Sequence, residues 1–153
     1  MVKEIKILSK TVAEKMTAED IGERTAIISF FTPPSNRYPK ERDKVNYDGI
    51  CDRVFYVGIH DIDVEVLKDY GLTFDTYFTE ADDLARFIVD AIRDCDTIIC
   101  QCVFGQSRSA ACAAAIKEYI DRTGIEVFAD YRYYPNQMIF NKLFAALKAV
   151  KTK

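Results

Sequence analysis

The sequence predicts an α/β domain: a central, mostly parallel sheet flanked by helices. Three observations carry this. Short apolar runs of strand length occur at residues 5–8, 25–31, 53–59 and 96–102. Longer segments with helical spacing of apolar residues follow residue 79 and again residue 108. Strands that alternate with helices along a chain build a parallel sheet.

Each element has its own signal. Residues 5–8 read as a strand, and Thr17 is placed to cap a short helix at 18–22. Residues 25–31 are rich in Ile and Phe, as in a buried strand. The segment 32–44 holds Pro33, Pro34, Pro39 and six charges, which makes it a loop. Residues 53–59 form the next strand. Leu84, Phe87, Ile88, Ala91 and Ile92 then recur at the spacing of one helix face. Residues 96–102, containing Thr97, Ile98 and Ile99, are the central-strand candidate. A helix is expected over 109–122, ended by Gly124, with a short strand at 126–131. The last helix should start near Pro135, a good first-turn residue. Its core face is Ile139, Leu143, Phe144, Leu147 and Val150, and Lys148, Lys151 and Lys153 are favourable charges at its C-terminal end.

The 153 residues fit a single domain with one hydrophobic core. Hydrophobic residues make up 49% and charged residues 29%, an ordinary globular mixture. A net charge of −3 speaks against a general nucleic-acid binder. No stretch is long and apolar enough to span a bilayer, and Lys3, Glu4 and Lys6 interrupt any secretory signal at the N-terminus. Five cysteines, an odd number without regular spacing, are not a secreted disulfide framework, so a reducing cytoplasm is expected. With one histidine and no C-x-x-C pair, no metal site is expected. No cofactor is expected either, and the oligomeric state cannot be read.

The chemistry concentrates at Cys102-Val103-Phe104-Gly105-Gln106-Ser107-Arg108-Ser109. A strand should end at Cys102 and a helix begin near Arg108. A loop between them would turn its backbone N–H groups toward one point at the positive end of a helix, an anion site. Gly105 suits a positive φ or a close backbone approach. Arg108 supplies a planar fork for two phosphate oxygens. The same field lowers the pKa of Cys102, so that its thiolate could attack phosphorus. Arg108 and the N–H groups would meet the developing oxygen charge. Ser109 is placed to hydrogen-bond the thiolate and help it leave.

These residues closely resemble the cysteine-dependent protein tyrosine phosphatase superfamily, whose signature is C-x5-R, often C-x-x-G-x-x-R-[ST]. The Ser-Arg-Ser ending at 107–109 is most like the dual-specificity branch. Tyr56-Val57-Gly58-Ile59 resembles the strand leading into that family's general-acid loop, and Pro135-Asn136 is similar to the Pro-Asn that opens its last helix. The resemblance covers about residues 53 to 147 and implies a phosphatase-like fold. It also implies hydrolysis of phosphate monoesters, on phosphotyrosine or phosphoserine/threonine proteins, through a phosphocysteine. Phosphate would be bound by Val103, Phe104, Gly105, Gln106, Ser107 and Arg108. Two departures stand out. Gln101 occupies the place where the family usually has His, and the segment 124–134 looks too short for the extra helix many relatives carry there.

Phosphate-ester cleavage needs an acid to protonate the leaving oxygen. Asp61 and Asp63 lie just past the 53–59 strand, and the family register from Tyr56 favours Asp63. The interval from Asp63 to Cys102 is longer than usual, which an insertion around 68–73 would explain. Asp75 is third. His60, the lone histidine, is most simply a polar surface residue. The loop Asn36-Arg37-Tyr38-Pro39-Lys40 mixes base and aromatic, as a phosphopeptide lip would, or is a plain solvated loop. Cys100 and Cys51 are the candidate disulfide partners for an oxidised Cys102.

The partner is thus a phosphorylated protein or a small phosphate ester, with neither nucleic acid nor membrane. The competing function is a phosphate-binding pseudophosphatase, an interaction module without turnover. Sulfur transfer or arsenate reduction is the more distant alternative, and the spacing to Arg108 with Ser109 after it favours phosphate.

Overall fold

Four strands pair in parallel in the order β1-β4-β2-β3: β1 (Glu4–Ser9), β2 (Thr25–Phe31), β3 (Val54–Gly58) and β4 (Thr97–Cys102). The structure is a computed structural model and describes residues 1–151. Lys153 lies outside the described residues. The α/β class and the central position of 97–102 are as expected: β4 runs between β1 and β2. The six buried residues that open β2 explain its uninterrupted apolar sequence, because a parallel sheet is covered on both faces.

One face carries the larger core. Ile28, Phe30, Val57, Ile98 and Cys100 pack there against three long helices, α3 (Ala81–Asp94), α4 (Arg108–Asp121) and α6 (Gln137–Ala149). Helix α3 turns its expected face inward, with Leu84, Ala85, Ile88 and Ala91 fully buried. Residues 109–116 of α4 are all buried, and its run of alanines lets α6 and the sheet approach closely from several sides. The other face is thinner. Ile27 and Ile99 are covered by α1 (Lys10–Glu14), α2 (Ala18–Ile21) and the segment around Val45 and Tyr47. Thr17 caps α2 in a full capping box with Asp20.

Three sequence expectations change. Residues 126–131 are not a strand: Ile125–Ala129 form a short helix, α5. The segment pairs with no strand of the sheet. Val127 is buried against Ala110 and Ala114 of α4, and Phe128 meets Phe140 of α6 edge-on at 5.0 Å. So 124–134 does accommodate an additional helix, of five residues. Gly124 does not end α4. Arg122 does so, in the left-handed conformation at φ 64°, and Gly124 starts α5. A Cβ on Gly124 would sit 2.7 Å from the Ala114 carbonyl oxygen, so glycine permits the close approach of the two helices. On α6, Ile139, Leu143 and Leu147 are fully buried as expected; Phe144 and Val150 are half-buried, and Met138 and Ala146 join the core.

The carboxyl ends of parallel strands are where such sheets place ligands. Here that edge gathers Ser9 at the end of β1, Thr32 after β2, Ile59 to Asp61 after β3, and Cys102 at the end of β4. No helix among the described residues is long and apolar enough to cross a membrane.

Candidate active site

The segment from Cys102 to Arg108 is held from outside by its carbonyl groups. Lys10 N–H donates to Val103 O (3.0 Å), Tyr134 N–H to Gln106 O (2.8 Å) and Asn136 N–H to Ser107 O (3.2 Å). In a planar trans peptide the N–H points away from the preceding C=O. The N–H groups of Phe104, Ser107 and Arg108 are therefore turned into the loop. Ser107 stands at the N-cap of α4 but makes no side-chain cap, so the amino end of that helix is left open. A concave array of donors at a helix N-terminus is the outcome.

Gly105 fixes the loop's path. Its φ is +67°, and a Cβ there would meet Ser9 N at 2.7 Å and Leu8 C at 2.9 Å. Gly105→Ala is expected to cost about 2–4 kcal/mol, from left-handed strain plus overpacking against β1. Urea unfolding would measure it, and a loss below about 0.5 kcal/mol would contradict this account.

Cys102 is 2% exposed and lies 3.1 Å from Ser109 Oγ. Burial by itself pushes the thiol up. The Ser109 hydroxyl and N–H, the Arg108 charge and the Gly105 N–H outweigh it, and the thiol is held below its ordinary value. Arg108 is 3% exposed. Its Nη1 donates to Ile59 O (2.8 Å) and Thr32 Oγ1 (3.1 Å), which aims the guanidinium from the ends of two other strands. Its buried Nε has no partner among the described residues. A buried donor left unpaired is costly.

Cys102, Val103, Phe104, Gln106, Ser107 and Arg108 line one cavity of about 550 Å³. The structure brings Asp61 to this cavity as well. Ser107 Oγ donates to Asp61 Oδ1 (2.7 Å), and Asn136 Nδ2 donates to the same oxygen (3.0 Å). Asp63 lies elsewhere: it precedes the 3₁₀ turn Val64–Tyr70 and lines an adjacent cleft that does not include Cys102. Asp75 lines a third depression with Lys142. His60 packs on Tyr70 with ring centroids 4.7 Å apart and planes tilted by 49°, and it lines a cleft with Asn36, Arg37 and Tyr38.

Gln101 is fully buried and faces away from the thiol. Its Oε1 accepts from Ser29 Oγ (2.6 Å) and Tyr47 OH (2.7 Å) on the thinner side of the sheet. Cys51 bonds to Thr25 O and Arg53 O, at the amino edge of the sheet, so it is remote from Cys102. Cys100 is fully buried beside Cys112, whose thiol is pushed up by burial. All five cysteines are free. No group of three or more His, Cys, Asp or Glu among the described residues is arranged to hold a metal ion.

Sequence reasoning missed Thr32 and the Ile59 carbonyl as anchors of Arg108, and Asn136 and Ser107 as the holders of Asp61. It also missed Arg42 and Asp43, which line the cavity from the 32–44 loop. Only Asn136 carried a local signal, as the cap residue after Pro135.

No protein-family model matches the chain, and no curated protein matches its sequence. The chain is similar to the solved structure of PTPMT1, at 12% identity over 95% of this chain and 90% of that one, with a TM-score of 0.49. It is similar to human DUSP28 at 16% identity, covering 88% of each chain, with a TM-score of 0.44. TpbA from P. aeruginosa aligns at 13% identity over 89% of this chain and 76% of that one, with a TM-score of 0.42.

Proposed function

We propose that the chain is a cysteine-dependent phosphatase that hydrolyses phosphate monoesters of phosphorylated proteins through a phosphocysteine intermediate. The observation that carries this reading is the meeting, in one cavity, of a lowered thiol at Cys102 and an unpartnered buried Nε on Arg108. The substrate's phosphoryl oxygens take the loop N–H groups and the Arg108 fork. The Cys102 thiolate attacks phosphorus; the S–P bond forms as the ester P–O bond breaks. The Asp61 carboxyl gives its proton to the leaving oxygen. Asp61, now a carboxylate, then takes a proton from water, whose oxygen attacks phosphorus and breaks the S–P bond. Ser109 donates to the departing thiolate.

Asp61 is preferred to Asp63 in this role because it lines the cavity of Cys102 and is oriented by two side chains. Its test uses leaving groups of different quality. Asp61→Asn should slow hydrolysis of phosphotyrosine by about 10²-fold or more and an activated aryl ester much less, because that phenolate leaves without a proton. Asp63→Asn should leave both substrates within about threefold of wild type. Leaving-group dependence in Asp63→Asn instead of Asp61→Asn would reverse the assignment. Absence of any turnover of an aryl phosphate by the wild type would remove the catalytic reading altogether.

A further inference from the structure

We infer that the catalytic cavity is the middle of a charge-polarised trough for an extended phosphopeptide. An acidic side chain would sit beside Arg37 and Arg42 on one side of the phosphoresidue, and a basic one beside Asp63 and Glu65 on the other. The inference rests on the phosphatase reading above and adds the substrate's flanking chemistry to it.

Three cavities adjoin through shared walls. The central one, about 550 Å³, shares Arg42 with a cleft of about 790 Å³ that also holds Arg37, Tyr38 and His60. It shares Asp61, Ser107 and Tyr134 with a cleft of about 730 Å³ that has no lining residue in common with the first. A small phosphate ester fills only the middle, whereas an extended chain places alternate side chains, the phosphoresidue and those two positions before and after it, along all three.

The two outer clefts have opposite charge. On the first, neither Arg37 nor Arg42 has a carboxylate partner within ion-pair distance among the described residues. Arg42 is held in place instead. Its backbone pairs with Thr32, and its guanidinium lies 4.1 Å from the Tyr38 ring centroid. Two acids lie nearby. Asp43 is engaged by Lys10 at 3.6 Å, and Asp69 lies on the wall of the first cleft. The positive field reaches His60, which is pushed toward its neutral form by burial first and by Arg108 and Arg42 next. On the second cleft, Asp61, Asp63 and Glu65 line the wall with no Lys or Arg among its lining residues, and Phe74, Phe128 and Tyr133 supply aromatic surface. Acidic side chains complement the first cleft, and basic ones the second.

The test uses heptapeptides bearing a non-hydrolysable phosphonate analogue of phosphotyrosine, so the protein binds them without turnover. Flanks are neutral, all acidic, all basic, or mixed in the two possible orders. One mixed order should bind about fivefold or more tighter than the neutral peptide, and tighter than both uniformly charged ones, as two partly exposed ion pairs allow. The order that wins reports the direction of the chain. Raising salt should erase the difference. Arg37→Glu should remove the benefit of the acidic flank alone, and Glu65→Lys that of the basic flank alone. Each is read as a ratio of charged to neutral peptide within one protein. Equal affinity for all peptides, a preference for a uniformly charged one, or equal binding of the bare aryl phosphonate would overturn the trough. Turnover of an aryl phosphate is followed in parallel. Its absence would sink the catalytic reading while the affinities still decide the trough.

Discussion

Cys102→Ser is expected to abolish turnover of any phosphate ester, by roughly four orders of magnitude or more, while the protein stays folded. The substituted hydroxyl occupies nearly the same volume in a position that is 2% exposed, so packing is kept. What disappears is the ionised nucleophile. The field of Ser109, Gly105 and Arg108 holds the Cys102 thiol below its ordinary value, but a serine hydroxyl in that field does not ionise. Oxyanion binding should persist, because the Arg108 fork and the loop N–H groups are untouched. Calorimetry with phosphate would show this, and circular dichroism would show the intact fold. Turnover near the wild-type rate would exclude covalent catalysis at this residue. The pH profile adds a second check. The reactive form is the thiolate, so the rate should fall as pH drops through the lowered thiol pKa. Removing the largest lowering contribution with Ser109→Ala should move that acid limb to higher pH.

Arg108→Lys should be nearly as severe, with about 10²- to 10³-fold lost from turnover and a parallel loss of oxyanion affinity. Arg108 does two jobs with one rigid plane. Its Nη1 is tied to Ile59 O and Thr32 Oγ1, and its buried Nε is left unpaired among the described residues. A lysine has a single ammonium. Engaging the two oxygen anchors takes it away from the anion, and engaging the anion leaves a buried carbonyl and hydroxyl short of a donor. Vanadate inhibition reads the clamp directly. A Lys variant inhibited as well as wild type would overturn the clamp assignment.

The loop at 102–109 was readable because its candidate chemistry is contiguous. Cys102, Gly105, Arg108 and Ser109 fall within eight residues, and a strand running into a helix fixes their relative placement. Periodicity did the same for α3, whose buried face matches its apolar spacing, and for the apolar strand Thr25–Phe31. Capping was local too: Thr17 and Asn136 stop at helix starts because their side chains reach N–H groups three residues on.

The general acid was less legible. Asp61 and Asp63 have the same side chain and lie two residues apart just past β3. Which of them meets Cys102 depends on Asn136, 75 residues away, and Ser107, 46 residues away. Residues 125–129 have strand-like composition but form a short helix, with Val127 packed on Ala110 and Ala114 of α4 and Phe128 on Phe140 of α6. Gln101 stands next to the nucleophile in sequence, yet alternation along β4 turns it to the opposite face, toward Tyr47 54 residues away. The anchors of Arg108 are separated from it by 76 and 49 residues. Short-range spacing dictated the elements and the nucleophile loop, since both arise from hydrogen bonds and side-chain geometry within a few residues. The position of Asp61 and the guanidinium's aim were decided by which strand ends the sheet order β1-β4-β2-β3 makes neighbours, a matter of pairing between distant segments that local periodicity does not encode.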